Sequence, residues 1–223
     1  MGLLSKLGLT NGGIRLNIRK ISGKIRYGTC IIFTRIISPN LFKKFVAFGL
    51  CHNSIFPRPS IEMMLKYFKN KKVIGAEIGV NKGKNAKSIL KVLNINQLYL
   101  IDSWEIKQFK EGYKNYKTSC KKFKNKSNVK IIKSSSLDAN ILIKDNSLDF
   151  CYIDASHDYN DVYQDIEIWT KKVKINGIIA GHDIFSFIDV FKAINNYCLK
   201  NKLSYEINAP DWYFIKKEGL RDD

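Results

Sequence analysis

Apolar and polar positions alternate with two distinct periods from residue 60 onward, and the switch between them marks the elements. Ile61, Met64, Leu65 and Phe68 share one helical face, with Ser60 placed to cap the helix and Glu62 in its first turn. A strand is predicted over 73–80, followed by Gly83 and a helix carrying Ala86, Ile89, Leu90 and Leu93. A second strand covers 98–102, and a long helix is predicted from Glu105 to Lys124. Its apolar face is Ile106, Phe109, Tyr113, Tyr116, Cys120 and Phe123, and the lysines at 107, 110, 114, 117, 121 and 124 form an adjacent solvated stripe. Strands follow at 129–133, 148–154 and 177–181. The helix before the last of these turns Val162, Ile166, Trp169 and Val173 inward, and the helix after it Val190, Ile194 and Tyr197. Two closing strands, 204–208 and 212–216, are joined at Ala209-Pro210-Asp211. Short, nearly continuous apolar strands alternating with helices predict an α/β fold: a mostly parallel sheet, helices on both faces, and one antiparallel strand at the edge.

The first 59 residues break this regularity. Residues 1–61 hold ten Lys and Arg and no acid, and turn signals such as Asn11-Gly12-Gly13 and Pro57-Arg58-Pro59 interrupt them. Ile14, Ile18, Ile21 and Ile25 fall on one helical face flanked by Arg15, Arg19 and Arg26. The expected division is a basic appendage at 1–59 and one domain at 60–223. The appendage is read either as a cap on the domain or as a basic amphipathic surface for peripheral contact with anionic lipid.

Composition narrows the function classes. An apolar content of 45% is too high for a disordered basic tail. No uncharged apolar run approaches the ~18 residues of a spanning helix, and no secretory signal is visible. Five scattered cysteines without a C-x-x-C pair argue against a disulfide framework or structural zinc, and point to a reducing, cytoplasmic compartment. The net charge of +18 invites a nucleic-acid reading, yet Lys outnumbers Arg 32 to 6, and Lys, Ile and Asn together make up 83 residues, a compositional skew rather than a recognition surface. Nucleic acid is therefore a disfavoured partner.

Candidate chemistry collects at the strand ends, where parallel sheets bind ligands. The first strand runs into Glu77-Ile78-Gly79-Val80-Asn81-Lys82-Gly83, whose glycines permit a tight turn and close backbone approach. Asp102 ends the next strand, placed to accept ribose hydroxyls. Asp154 ends the fourth strand and is followed by His157, close enough to act as a base; His182-Asp183 ends the fifth. Asp154, His182 and Asp183 could converge on a divalent cation.

Between about Ser60 and Lys216 the chain resembles a class I S-adenosylmethionine-dependent methyltransferase, and is most similar to methyltransferase family 24, the small-molecule and sugar O-methyltransferase branch. The glycine turn at 77–83 carries the likeness, with the run from Leu148 to Tyr159 (LDFCYIDASHDY) and the run from Ile175 to Asp183 (INGIIAGHD). The resemblance implies a Rossmann-like sheet and S-adenosyl-L-methionine as cofactor. Glu77, Gly79 and Gly83 would form its loop, Asp102 its ribose contact, and Asp154 a further contact. Ser135 stands in the Ser134-Ser135-Ser136 run where relatives often carry an acid after the third strand. Asp154, His182 and Asp183 take the metal positions, for magnesium or manganese, although sugar-modifying relatives usually have a carboxylate where His182 stands. His157 takes the base position. The implied reaction is displacement of the sulfonium methyl by the hydroxyl of a sugar or small molecule. The alternative is a basic binding module for RNA or anionic membrane that keeps the fold without catalysis.

Overall fold

The computed structural model describes residues 56–105 and 111–219. The basic segment is outside the described residues up to position 55, so its expected cap or membrane role is not addressed by the structure.

Helix α1 (Pro59–Phe68) begins at Arg58, with Pro59 at the first helical position, where its missing N–H costs nothing. Ser60 does not cap it as expected: both its amide and its hydroxyl donate to Asp211, 151 residues away. Leu65, placed on the apolar face by periodicity, is exposed, and Ile61, Met64 and Phe68 are buried. Strand β1 (Val73–Ile78) leads through the glycine turn to α2 (Lys84–Val92), and β2 (Ile95–Asp102) follows. Then come α3 (Glu111–Phe123), β3 (Val129–Lys133), the short α4 (Ser136–Ala139) and β4 (Leu148–Ile153). Helix α5 (Tyr159–Lys172) runs directly into β5 (Val173–Gly181), so Val173 opens a strand rather than closing a helix. Helix α6 (Ile188–Lys200), β6 (Glu206–Asn208) and β7 (Asp211–Ile215) complete the domain.

The seven strands are ordered β3-β2-β1-β4-β5-β7-β6. Strands β1 to β5 are mutually parallel, and β7 runs antiparallel to both β5 and β6. The antiparallel strand is therefore one place in from the edge, with β6 outside it. From Phe150 to Ile153, alternation divides the core between the two faces. In β4, Cys151 and Ile153 pack on the side that holds Ile166, Trp169 and Ile194, while Phe150 and Tyr152 pack with Ile61, Met64 and Ile89. Each fully buried aliphatic side chain in these layers contributes about 1.5–3 kcal/mol.

Helix α3 departs most from its pattern. Positions 106–110 of the predicted helix lie outside the described residues. Within Glu111–Phe123 the buried positions are Gly112, Asn115, Ser119 and Phe123, whereas Tyr113 is 59% exposed. The helix covers the polar loop after β1, and that loop needs hydrogen-bond partners more than apolar cover. Asn115 donates to the Asn81 side chain at 2.8 Å and Ser119 to the Asn81 carbonyl at 2.9 Å.

Candidate active site

The strand order reverses between β1 and β4, and a cavity of about 790 Å³ opens there beyond the carboxyl ends of the strands. Two walls built on different principles enclose it.

The wall formed by β1 and β2 rests on backbone geometry. Gly79 has φ +85°, and a Cβ there would meet the Asp154 carbonyl oxygen at 2.0 Å. Asp102 binds the turn to the neighbouring strand: one carboxylate oxygen accepts from the amides of Val80 (2.8 Å) and Asn81 (2.7 Å), the other from Trp104 (2.7 Å). Three lone-pair directions are thus used inside the loop, and one oxygen keeps room for a further donor. Gly83 also has positive φ, +65°, but it packs on the Phe123 ring and does not line the cavity. Its role is the entry into α2, not ligand access as the sequence suggested. Ser135 borders the cavity, yet its hydroxyl serves the cap of α4, accepting from the Asp138 amide and donating to the Asp138 carboxylate.

Glu77 reaches this wall from the carboxyl end of β1. It is buried, and its Oε2 has no hydrogen-bond partner. Burial, followed by the charge of Asp154, raises its pKa well above the usual carboxyl range. An unpaired buried carboxyl lining a cavity fits the ammonium of an amino-acid ligand, so these residues fit the cofactor that the resemblance implies. Glu77 would hold its amino-acid end, with Gly79 giving backbone access and Asp102 a hydroxyl contact.

The wall formed by β4 and β5 rests on buried charge. His157 Nε2 lies 3.0 Å from Asp183 Oδ2, and its ring stacks on Phe187 at 4.0 Å. His182 is fully covered, with Nδ1 3.0 Å from Asp183 Oδ1 and 3.9 Å from Asp154 Oδ1. Burial raises Asp154 to about 6, against the pull of His182 and Arg58. Burial would raise Asp183 as well, but the two imidazoles and Ser186 outweigh it and hold that carboxyl far below its usual range. Burial would lower His157; Asp183, Asp154 and Asp158 reverse this, and the net shift is upward.

Sequence reading missed Arg58, which sits in this wall although it precedes α1. It is 5% exposed, its NH2 is 3.6 Å from Asp154 Oδ2, and its NH1 contacts His182 Nε2. A buried arginine between two prolines at a helix start was the available signal. Asn81 and Asn115 were also missed, and for them the signal was the polar spacing of 112, 115 and 119 within an otherwise aromatic helix.

Asp154, His182 and Asp183 do converge, with one ligand atom from each lying within 4.8 Å of the others. Arg58 contacts His182 Nε2, while His182 Nδ1 and Asp183 Oδ1 are buried without a hydrogen-bond partner, so these residues fit a divalent ion that would take Nδ1 and carboxylate oxygens of Asp154 and Asp183.

Among curated proteins none matches the chain in sequence. Residues 76–184 match the family model described as a methyltransferase domain. The fold is shared with a Staphylococcus aureus protein assigned as a caffeoyl-CoA O-methyltransferase (TM-score 0.56, 16% identity, covering 86% of this chain and 99% of that one). A Streptococcus mutans protein assigned as a methyltransferase, solved in complex with SAH, has TM-score 0.53 and 15% identity, covering 72% of this chain and 98% of that one. One from Methanococcus maripaludis, assigned as S-adenosyl-L-methionine-dependent, has TM-score 0.52 and 14% identity, covering 74% and 86%. Residues 76–184 therefore carry the match to a methyltransferase domain, on a fold shared with proteins assigned as methyltransferases.

Proposed function

We propose that the chain methylates a hydroxyl of a small molecule or sugar, with His157 as the general base. The observation that carries this reading is the placement of the His157–Asp183 pair across one cavity from Glu77, Gly79 and Asp102. When bound, S-adenosylmethionine supplies an electrophilic methyl group on sulfur. The residues of this chain bind, align and remove a proton. Asp183 faces His157 Nε2, which leaves Nδ1 as the basic nitrogen, and the carboxylate stabilises the imidazolium formed once the proton arrives. The upward shift of His157 suits a base that must hold that proton near neutral pH. The stacked Phe187 fixes the ring plane. A divalent ion, if held by Asp154, His182 and Asp183, would lower the pKa of the acceptor hydroxyl.

The membrane contact expected of residues 1–59 falls almost wholly outside the described residues. Among the described residues no helix is long and apolar enough to cross a membrane.

The test is transfer of radiolabelled methyl from S-adenosylmethionine to a panel of sugars, phenols and carboxylic acids. Label should reach a hydroxyl-bearing acceptor, and His157→Ala should lower turnover by roughly 10²–10⁴. Transfer to a nitrogen or carbon centre, or full activity in His157→Ala, would overturn the assignment.

A further inference from the structure

Charge is divided unevenly along the sheet. Between positions 82 and 133 the described residues hold twelve lysines and three acids, whereas positions 134–189 hold four lysines and ten acids. A compositional skew toward lysine would load both stretches alike. Lys172, Lys174, Lys192 and Lys200 each pair with a carboxylate, but none of the twelve does so among the described residues. Eleven of the twelve are exposed and Lys122 is half-buried. Of the three acids, Asp102 is spent on the amides around the turn after β1.

The lysines form one continuous face. Lys114, Lys117 and Lys121 follow one another at spacings of three and four along α3, where like charges repel. Lys122 donates to the Lys82 carbonyl. Burial, followed by the charges of Lys87 and Lys84, lowers its pKa, so α2 brings its lysines up to α3. From the end of β3, the Lys133 ammonium lies 5.5 Å from the Tyr116 ring centre, and Lys117 lies 4.5 Å from that of Tyr113. Tyr113 is the one exposed large hydrophobic side chain in this stretch among the described residues. The Tyr113 and Tyr116 rings are 6.5 Å apart, and Tyr116 is 5.0 Å from Trp104. Trp104, Lys82 and Lys84 line the cavity, so the face runs up to its edge.

We propose that the face formed by α2, α3 and β3 docks single-stranded RNA, its lysines following the phosphates and Tyr113 stacking on a base. Composition argues against nucleic acid because lysine lacks the guanidinium fork that reads base edges. Single-strand binding needs no such fork: point charges track the phosphates, and every base offers a ring face to an aromatic side chain. A duplex keeps its ring faces in its own stack, so an exposed tyrosine among lysines favours an unpaired strand. An anionic bilayer shares the charge complementarity, but it is gripped by apolar side chains set beside the basic ones. This face offers Tyr113 alone for that purpose. The docking surface does not rest on the methyl-transfer reading.

The test uses the full chain and a fluorescein-labelled uridine oligomer of about 12 nucleotides, followed by anisotropy at rising salt. Wild type should bind, with an affinity that falls linearly against salt on logarithmic axes. Replacing Lys114, Lys117 and Lys121 together by alanine should weaken binding at least roughly tenfold and flatten the salt slope by about 2. Replacing Lys66, Lys69 and Lys71, exposed before the start of β1, removes the same charge elsewhere and should change affinity by less than about threefold. Both triple variants keep every basic residue before position 56, so only the place of the lost charge differs. Tyr113→Ala should weaken binding at least roughly fivefold with the salt slope unchanged, as loss of stacking without loss of charge requires. All the substituted side chains are exposed, so thermal melts should match wild type. Absence of RNA binding by wild type would overturn the proposal, as would equal losses in the two triple variants or an unaffected Tyr113→Ala. Duplex DNA bound as tightly as the oligomer would overturn it too. So would vesicles of equal parts phosphatidylcholine and phosphatidylserine whose binding depends more strongly than that of RNA on Lys114, Lys117 and Lys121.

Discussion

The two walls of the cavity hold their ligand-facing groups by opposite means. On the β1–β2 side the work is local: a glycine with positive φ, a turn, and one carboxylate bonded to three amides within about twenty residues of it. On the β4–β5 side, the polar side chains of Arg58, Asp154, His157, His182 and Asp183 meet from as far as 124 residues apart in sequence. The first wall should fail sterically and the second electrostatically, and the two kinds of failure differ in their dependence on pH.

The largest effect is expected from Gly79→Val. The new side chain would strike the Asp154 carbonyl and strain a positive φ, so it should cost about 3 kcal/mol or more in stability and lower SAH affinity by at least roughly 100-fold. Denaturant melts and calorimetry measure the two effects, and a variant that binds SAH normally would break the steric account of this wall.

Asp154→Asn should act in the opposite direction on stability. Its pKa is raised from 3.8 to about 6, so the fold penalises the ionised form. With the folded value above the unfolded one, stability falls as pH rises through the window from about 4 to 6, and the penalty is complete above it. At pH 7 the asparagine variant should therefore be more stable than wild type, by at most about 3 kcal/mol. The gain should vanish at pH 4. A variant less stable at pH 7 would show that the pairing with Arg58 outweighs the cost of burial.

Asp102→Asn keeps the shape but replaces one acceptor oxygen with a donor, so at least one amide of the loop is left without its partner. A loss of about 1–2 kcal/mol in stability and a fall of roughly tenfold in SAH affinity are expected. An unchanged affinity would mean that the loop holds its form through Asn81 and α3 alone.

The position of Arg58 also sharpens the boundary between appendage and domain. Removing residues 1–55 should leave SAH affinity within about threefold of wild type, whereas removal through residue 59 also takes away the guanidinium and the start of α1. Equal melting temperatures for the two truncations would deny Arg58 a place in the domain. The smallest signal is protonic: if a ligand ammonium pairs with Glu77, SAH binding should release protons, so that the heat varies with the buffer and affinity rises modestly with pH.

The sequence by itself determined the fold and most of the β1–β2 wall, because both follow from short-range rules. Alternation specified which residues of β4 face which layer, and the glycine turn and Asp102 announced themselves at strand ends. It also brought Asp154, His157, His182 and Asp183 to one place, since adjacent parallel strands end together. Helix α3 was misread because periodicity detects apolar faces, while this helix buries Asn115 and Ser119 against a polar loop. Tertiary structure alone decided that Ser60 and Tyr152 meet Asp211, and that Arg58 meets His182 and Asp154. The physical reason is that a buried charge is stabilised by whatever opposite charge the fold brings near it. That partner lies at no fixed spacing along the chain, so no sequence pattern announces it.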